Sequence, residues 1–444
     1  MKNRLYLAIG VLVVTFNFLV GFQIYEARGA DENEDSGYQT ISIFTRALQL
    51  IRQDYVDQTK VGYRELMYNA MKGMMKGLDP HSQFMEPQDF RSMQEDTRGD
   101  FGGIGLVVNT REEVLTVVSP MADSPGFEAG ILPGDQILKI NGTSTRNMEL
   151  IDAVELLRGD IGQAVTLTIR RPSTEETKDY VLKREAIPIL SVKEVKLLDP
   201  EKTHDQKIGY IRITQFSQPT AKELHEALDK LETEGMEGLV LDLRFNPGGL
   251  LNSAKDVCAE FLDPNQMVVY TEGQMPSQKR VYRTPANYTP RKKFPMVILI
   301  NNGSASGSEI VAGALKDLNR AVIVGETSYG KGSVQSVIQL PDGSALRLTT
   351  QKYFTPSRKM IHEKGVEPDI RVTLTREQMR DVAISWMNEY MTEAEKKAVA
   401  GIEDLQLDRA IDVIRGMLIY RQVVNKKEVG DVAKATNTTS AKKR

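Results

Sequence analysis

The sequence predicts a layered α/β core, with a smaller β-rich module inserted ahead of it and helical segments flanking both ends. Three observations predict this class. Between Lys207 and Val372, continuous apolar runs such as Leu239–Leu243, Met296–Ile300 and Ala321–Val324 alternate with helical patterns; strands that read this way are buried on both faces by helices. From Gly99 to Glu185 the texture changes to short β-rich runs and glycine turns. Residues 41–55 and 405–418 instead carry apolar side chains at helical spacing. A chain of 444 residues exceeds one ordinary domain. Its boundaries read as 1–30 for a signal or anchor segment, 31–96 for a helical region, 97–185 for the β-rich module, 186–372 for the core and 373–444 for a C-terminal helical region.

Taken in order, Lys2 and Arg4 precede an uncharged run from Leu5 to Tyr25, and acidic residues crowd in from Asp31 to Asp35. About twenty apolar residues span a bilayer. Positive charge before the run holds the short N-terminus in the cytoplasm and sends the remainder outside. The length favours a retained anchor, while Ala27-Arg28-Gly29 offers a cleavage site for the signal-peptide alternative. Either way the working part is expected on the extracytoplasmic, periplasmic side of the cell envelope. Ile41, Phe44, Leu48, Ile51 and Tyr55 then mark one amphipathic helix, and Arg64 to Lys76 a second that stops at Gly77. These helices pack either on the protein's own core or on a second subunit as a homodimer; the sequence does not decide.

In the β-rich module, Ile104–Val108 and Val114–Val118 read as strands. A Leu132-Pro133-Gly134-Asp135 turn, the strand Gln136–Ile140 and the turn dipeptide Asn141-Gly142 follow. A helix bearing Ile151, Val154 and Leu157 comes next, then the alternating strand Val165–Ile169. Gly103-Ile104-Gly105-Leu106 leads into the first strand, and with the downstream turns this order resembles a PDZ domain. The resemblance implies that the loop's amides hold a ligand's terminal carboxylate while the peptide adds as a strand. The partners so implied are proteins with accessible C-termini.

Composition narrows the rest. Net charge is −3, which provides no basic footprint for nucleic acid. The single cysteine, Cys258, allows neither an intrachain disulfide nor a cysteine zinc cluster, and reads as a core thiol.

Two motifs carry chemistry. Asn301-Asn302-Gly303-Ser304-Ala305-Ser306-Gly307-Ser308-Glu309 joins the strand ending at Ile300 to a helix carrying Ile310, Val311, Ala314 and Leu315. A serine there is either an ordinary N-cap or a nucleophile beside amides that favour an oxyanion. Gly-x-Ser-x-Gly spacing is absent. The second motif is Gly325-Glu326-Thr327-Ser328-Tyr329-Gly330-Lys331-Gly332-Ser333-Val334-Gln335. A serine needs a base, and none of the four histidines, His81, His204, His225 and His362, lies in a recognisable triad motif. Lys331, flanked by glycines, is the better candidate; otherwise it is a solvated turn lysine. As a base it must be neutral, which requires its pKa to fall from about 10.4 toward about 7–8, roughly 4 kcal/mol of disfavoured charge. If Lys331 to Gln335 is extended, both side chains face one side and the amide holds the amine. A phosphate-binding loop is excluded because Gly332 stands where Ser or Thr should hold magnesium and a β-like run follows instead of a helix.

From Ile41 to Val372 the chain resembles the carboxy-terminal processing proteases of peptidase family S41. The resemblance rests on Ser-Ala-Ser-x-Ser-Glu followed by Gly-Lys-Gly-x-x-x-Gln, with Gly77–Ser82, Gly102–Gly105 and Gly365–Asp369 also matching. It implies Ser306 as nucleophile, Lys331 as general base and Gln335 as the residue orienting the lysine. Gly307 then donates one oxyanion amide, and Gly248 or Gly249 of Arg244-x-Asn246-x-Gly248-Gly249 the other. Arg158 stands where the family has an arginine linking the PDZ and protease domains. Gly307 departs from the more common alanine but keeps the amide. No metal or organic cofactor is implied, and an adaptor or regulator is a further candidate partner. Two rivals stand beside this reading: a non-catalytic scaffold that binds C-termini, and a serine protease with a hidden histidine base.

Overall fold

The computed structural model describes residues 37–111, 113–291, 293–386 and 401–441, the last of these for the backbone alone beyond residue 424. The Leu5–Tyr25 run and residues 387–400 of the charged stretch Thr375–Ile402, for which the sequence suggests no role, lie outside the described residues. The chain divides into a unit up to Phe84 and a unit from Met85 onward.

In the first unit, the helix Gly37–Asp54 forms over the predicted spacing, but none of its residues is buried, and Ile41, Phe44 and Ile51 are exposed. The helix Tyr63–Lys76 closes on Gly77, whose N–H reaches the carbonyls of Gly73 and Met74. Asp79 then accepts from the N–H groups of His81 and Ser82 and from Ser82 Oγ, which fixes the turn that stops the helix.

The second unit begins with the helix Pro87–Arg98, ended by Gly99 in the left-handed region at φ 83°. The strand Asp100–Gly103 leads into the β-rich module and pairs antiparallel with Glu185–Pro188, which leads out of it. Entry and exit thus lie side by side, as an inserted module requires. Within it, Leu106–Arg111, Val114–Pro120, Gln136–Ile140, Ala164–Arg171 and Glu176–Lys183 form an antiparallel sheet in that spatial order. Asn141 and Gly142 both take positive φ, 50° and 81°, the geometry of a type I′ hairpin turn. The helix Leu150–Leu157 buries Ala153 and Leu157, whereas Ile151, expected on the inner face, points to solvent. Its last carbonyls are capped by buried Arg184, whose Nη2 donates to Leu156 O (2.8 Å) and Nε to Leu157 O (3.1 Å). A cation there also opposes the negative end of the helix dipole.

The core sheet runs Val192–Leu197, Ile208–Ile213, Gly238–Asp242, Met296–Ile300, Val322–Gly325 and Ile370–Arg371, all parallel except the first. Successive strand residues point to opposite faces. Leu239, Leu241, Ile298 and Ile300 therefore meet the helices Thr220–Thr233, Leu251–Ala259 and Gly307–Asp317 through Leu228, Val257 and Val311. Val240, Val297 and Leu299 meet Ala410, Ile411, Ile414 and Leu418 of the C-terminal helix Leu405–Ala441. Leu405 itself is exposed. The C-terminal helix thus supplies the second covering layer that the continuously apolar strands demand. Cys258 is fully buried between helix and sheet, and burial pushes its thiol far up. A separate antiparallel group, Met267–Gly273, Arg280–Arg283, Ser333–Gln339 and Ala345–Phe354, carries the lysine motif.

Candidate active site

Three turns at the C-terminal ends of the parallel strands converge. Open α/β sheets place ligands at this edge. The first turn follows Ile300. Ser304 Oγ donates to Leu243 O, and Asn301 Oδ1 accepts from the N–H groups of Gly303 and Phe245, so the turn is locked to its neighbour. Ser306 ends it at φ 52°, ψ −108°, directly before the helix Gly307–Asp317. Positive φ in a non-glycine residue is uncommon and marks a strained strand-to-helix elbow. Gly307, the first helical residue, has an N–H with no acceptor among the described residues.

Arg244–Gly249 forms the second turn. Asn246 is buried; its Nδ2 donates to Ile213 O, its Oδ1 accepts from Gly248 N–H (2.8 Å), and its carbonyl accepts from Ala305 N–H and Ser308 Oγ. Gly248 takes φ 100°, and a methyl there would sit 2.6 Å from Ser306 Cβ. Close approach of the two turns is why only glycine fits. Phe216 donates to Gly248 O and accepts from Leu250 N–H, so Gly249 keeps an N–H without acceptor among the described residues.

The third turn carries Lys331. Gly332 lies against the backbone of His362, leaving no room for a side chain. Glu309, fully buried on the first turn of the Ser306 helix, joins this turn to the first. Its Oε2 accepts from the N–H of Ser306 (2.8 Å) and of Lys331 (2.9 Å), and its Oε1 from Ser328 Oγ and Gly330 N–H, both at 2.6 Å. Burial pushes its carboxyl above the ordinary range, against the opposing pull of those four donors. Tyr353, buried beneath, shares its hydroxyl proton between the carbonyls of Ser306 (3.1 Å) and Lys331. Burial raises its phenol, so it remains a donor.

Ser306, Lys331 and Gln335 line one open cleft of about 570 Å³ with Gly248, Gly249 and Tyr353, walled by the apolar Met93, Phe216, Leu250 and Ile310. No histidine lines it among the described residues; His225 is held by Glu260 and Arg291. Lys331 lies in the turn ahead of the strand, which starts only at Ser333, and the bulge beside Gln335 places its extra residue, Thr350, on the facing strand. Gln335 Nε2 donates to Ser333 Oγ (2.9 Å) and Thr349 Oγ1 (3.4 Å). Among the described residues, no three His, Cys, Asp or Glu side chains cluster as metal ligands.

In the β-rich module, Gly103 is drawn into the ladder with Glu185, and Ile104 is buried. The carbonyls of Ile104 and Gly105 accept from Gly126 and Met121 N–H, while the N–H groups of Ile104 and Gly105 have no acceptor among the described residues. Gly105 has φ 66° and presses on Ser124, so a side chain is excluded. Leu106–Arg111 is an edge strand beside the helix Leu150–Leu157, the geometry that accepts an added peptide strand. Arg158, just past that helix, lies 4.2 Å over the ring of Phe101 in the strand leading from the core.

The roles of Glu309, Tyr353 and Arg184 escape the sequence reading; Glu309 alone carries a usable signal, since it closes the Ser-Ala-Ser-x-Ser-Glu motif three residues after a helix-capping serine.

Residues 207–372 match the model of peptidase family S41, and residues 116–171 that of a PDZ domain. The carboxy-terminal-processing protease of Bartonella bacilliformis is 41% identical over 347 residues, covering 77% of this chain and 76% of that protein. The carboxy-terminal processing protease CtpB of Bacillus subtilis is 36% identical over 344 residues, covering 77% and 69%. Among solved structures, the photosystem II D1 C-terminal processing protease shares 30% identity over 74% of this chain and 92% of that one, with a TM-score of 0.42. With identity of this order across both the PDZ module and the core, the chain belongs to the carboxy-terminal processing proteases of peptidase family S41.

Proposed function

We propose that the protein is an extracytoplasmic serine endopeptidase in which Ser306 is the nucleophile and Lys331 its base. The observation that carries the reading is the single carboxylate of Glu309 gripping the backbone of both residues at the edge of one cleft. In this mechanism the neutral amine of Lys331 takes the Ser306 hydroxyl proton as Oγ attacks the scissile carbonyl. The oxyanion rests on the N–H of Gly307 and on that of Gly249, favoured over Gly248 because Asn246 already engages the latter's N–H. Lys331 returns the proton to the leaving amine, and then deprotonates the water that releases the acyl-enzyme. Gln335 is assigned to orient the lysine. The Ile104–Gly105 amides are assigned to the substrate's terminal carboxylate, and Arg158 on Phe101 to coupling between PDZ module and core.

The test is cleavage of an unstructured protein with an apolar C-terminus by the full-length chain, read by intact mass. Wild type should cut, and folded Ser306→Ala and Lys331→Ala should each lose at least about 10³-fold in rate. Unimpaired Lys331→Ala would remove lysine as base; unimpaired Ser306→Ala would leave a C-terminus-binding scaffold.

Two further assignments belong to this proposal. The N-terminal run is read as the membrane anchor, which N-terminal sequencing of the mature protein tests; among the described residues no helix is long and apolar enough to cross a membrane. The unburied apolar face of Gly37–Asp54 is read as a homodimer contact; sedimentation of Ile41→Glu should give monomer, and an unchanged dimer would refute it. An adaptor docking on that same face is the alternative that a monomeric wild type would favour.

A further inference from the structure

The chain's single tryptophan and a group of buried charges sit at the root of the Arg244–Gly249 turn. Arg244, 1% exposed, folds back on fully buried Asp242, with Nε 3.0 Å from both carboxylate oxygens and Nη2 2.6 Å from Oδ2. Its outer edge is held by the C-terminal segment. Nη1 and Nη2 donate to the two oxygens of Asp404 at 2.9 and 2.7 Å, and Nη1 also to Gln406 Oε1 at 3.1 Å. Such a two-pronged pair fixes orientation as well as charge. Arg212, registered beside Asp242 on the neighbouring strand, supplies a second cation. Its guanidinium carbon lies 3.9 Å from the Trp386 ring centre, and that of Arg244 lies at 5.2 Å. Two arginines therefore balance two aspartates, a condition for holding such charges out of water.

Trp386 also packs edge-on against Phe245, with ring centres 5.7 Å apart and planes at 75°. Phe245 has φ 56°, which a bulky aromatic rarely adopts and which persists only where its surroundings enforce it. Its N–H is held by Asn301 Oδ1, and its ring by Trp386. The next residues are those that meet the serine: Asn246 O accepts from Ala305 N–H, and Gly248 abuts Ser306. A shift at Arg244 or Phe245 is thereby delivered to the amides facing the nucleophile.

We propose that Asp404 and Trp386, both beyond the residues that match the S41 model, are positioning residues that clamp the Arg244–Gly249 turn in its oxyanion-accepting conformation. The C-terminal segment is then part of the catalytic apparatus and not only a cover for the sheet. The proposal rests on the serine-protease reading above, and its test separates the two.

The full-length chain is compared with Asp404→Asn, Trp386→Phe, Trp386→Ala and, as control, Ser306→Ala. Three quantities are measured: deuterium exchange of peptides spanning 243–251, kcat and KM on the unstructured substrate, and affinity for a peptide aldehyde. The aldehyde forms a hemiacetal with the serine and so reports the oxyanion amides. In Asp404→Asn, exchange across 243–251 should rise about 10-fold or more. In the same variant kcat should fall on the order of 10–100-fold, KM should stay within about 3-fold, and aldehyde affinity should fall in step with kcat. Trp386→Phe, which retains an aromatic ring against Phe245, should recover much of what Trp386→Ala loses. Because Trp386 is only partly buried, its variants carry the same test where Asp404→Asn fails to fold. Exchange at the parent level overturns the clamp whatever the activity. Raised exchange with kcat and aldehyde affinity within about 2-fold of the parent overturns its catalytic meaning. Undiminished cleavage by Ser306→Ala instead defeats the serine reading, and the exchange result still decides whether the clamp orders the turn.

Discussion

A single oxygen of Glu309 holds the backbone N–H groups of Ser306 and Lys331, at 2.8 and 2.9 Å. Two residues 25 apart in sequence thus share one acceptor inside the protein. Glu309→Gln turns one carboxylate oxygen into a donor facing N–H groups that are themselves donors, and leaves at least one of them without a partner. An unpaired buried donor costs about 1–3 kcal/mol. The expected outcome is a folded variant destabilised by about 2 kcal/mol in denaturant titration. Its kcat should be lowered on the order of 10–100-fold at near-constant KM. Wild-type kcat in a folded Glu309→Gln would separate this carboxylate from the alignment of the two residues.

The same carboxyl gives a pH signature. Burial raises its folded pKa above the unfolded value, so the folded state binds more protons across the window between the two. The stability this contributes is fully present below the unfolded value of about 4.3 and is lost as pH rises through the folded value. The stability difference between wild type and Glu309→Gln should therefore shrink with rising pH across that window. Denaturant titrations at a series of pH values check the slope, and a difference that grows with pH would show that the four donors outweigh desolvation.

Legibility in the sequence follows the distance over which the determining interaction acts. The strands Gly238–Asp242 and Met296–Ile300 are readable because burial on both faces leaves a local mark, an unbroken apolar run. The turns that carry Ser306 and Lys331 are readable because strained backbone and close approaches demand glycine there. Arg184 capping Leu156 and Leu157, and Arg244 meeting Asp404 across 160 residues, leave no local mark, because either arginine alone reads as a surface cation. Ile151 fails for a related reason. Helical periodicity defines a stripe, but the sheet beneath selects Ala153 and Leu157 as its buried edge.

Two glycines near Ser306 should respond oppositely to alanine. At Gly248 the φ of 100° is strained for any side chain, and the new methyl would meet Ser306 Cβ at 2.6 Å and Gly307 N at 2.7 Å. Gly248→Ala is expected to abolish cleavage and to destabilise by about 1–3 kcal/mol. Gly307 sits in ordinary helical geometry, and the atoms nearest to a methyl there would be those of the Phe216 ring, from 2.9 Å. Since alanine also favours the helix, Gly307→Ala should keep cleavage within about 5-fold of wild type. Rates measured side by side decide it; equal losses would mean that crowding by Phe216 matters as much as the turn.

The PDZ loop admits a test that does not involve Ser306. Gly105 holds φ 66° against Ser124, whose Oγ donates to Gly105 O at 3.2 Å and to Met121 O at 2.6 Å. Any side chain at 105 must push Ser124 or the loop aside, displacing the N–H groups of Ile104 and Gly105 that face no acceptor among the described residues. Gly105→Ala should therefore weaken binding of a fluorescent peptide with a free apolar C-terminus by about 10-fold or more, as each lost hydrogen bond to a charged carboxylate is worth about 1.5–3 kcal/mol. Amidating the peptide's C-terminus should weaken binding to wild type by a similar factor and change binding to Gly105→Ala little, because both changes remove the same contact. Additive losses would instead mean that the carboxylate is held elsewhere on the edge strand Leu106–Arg111.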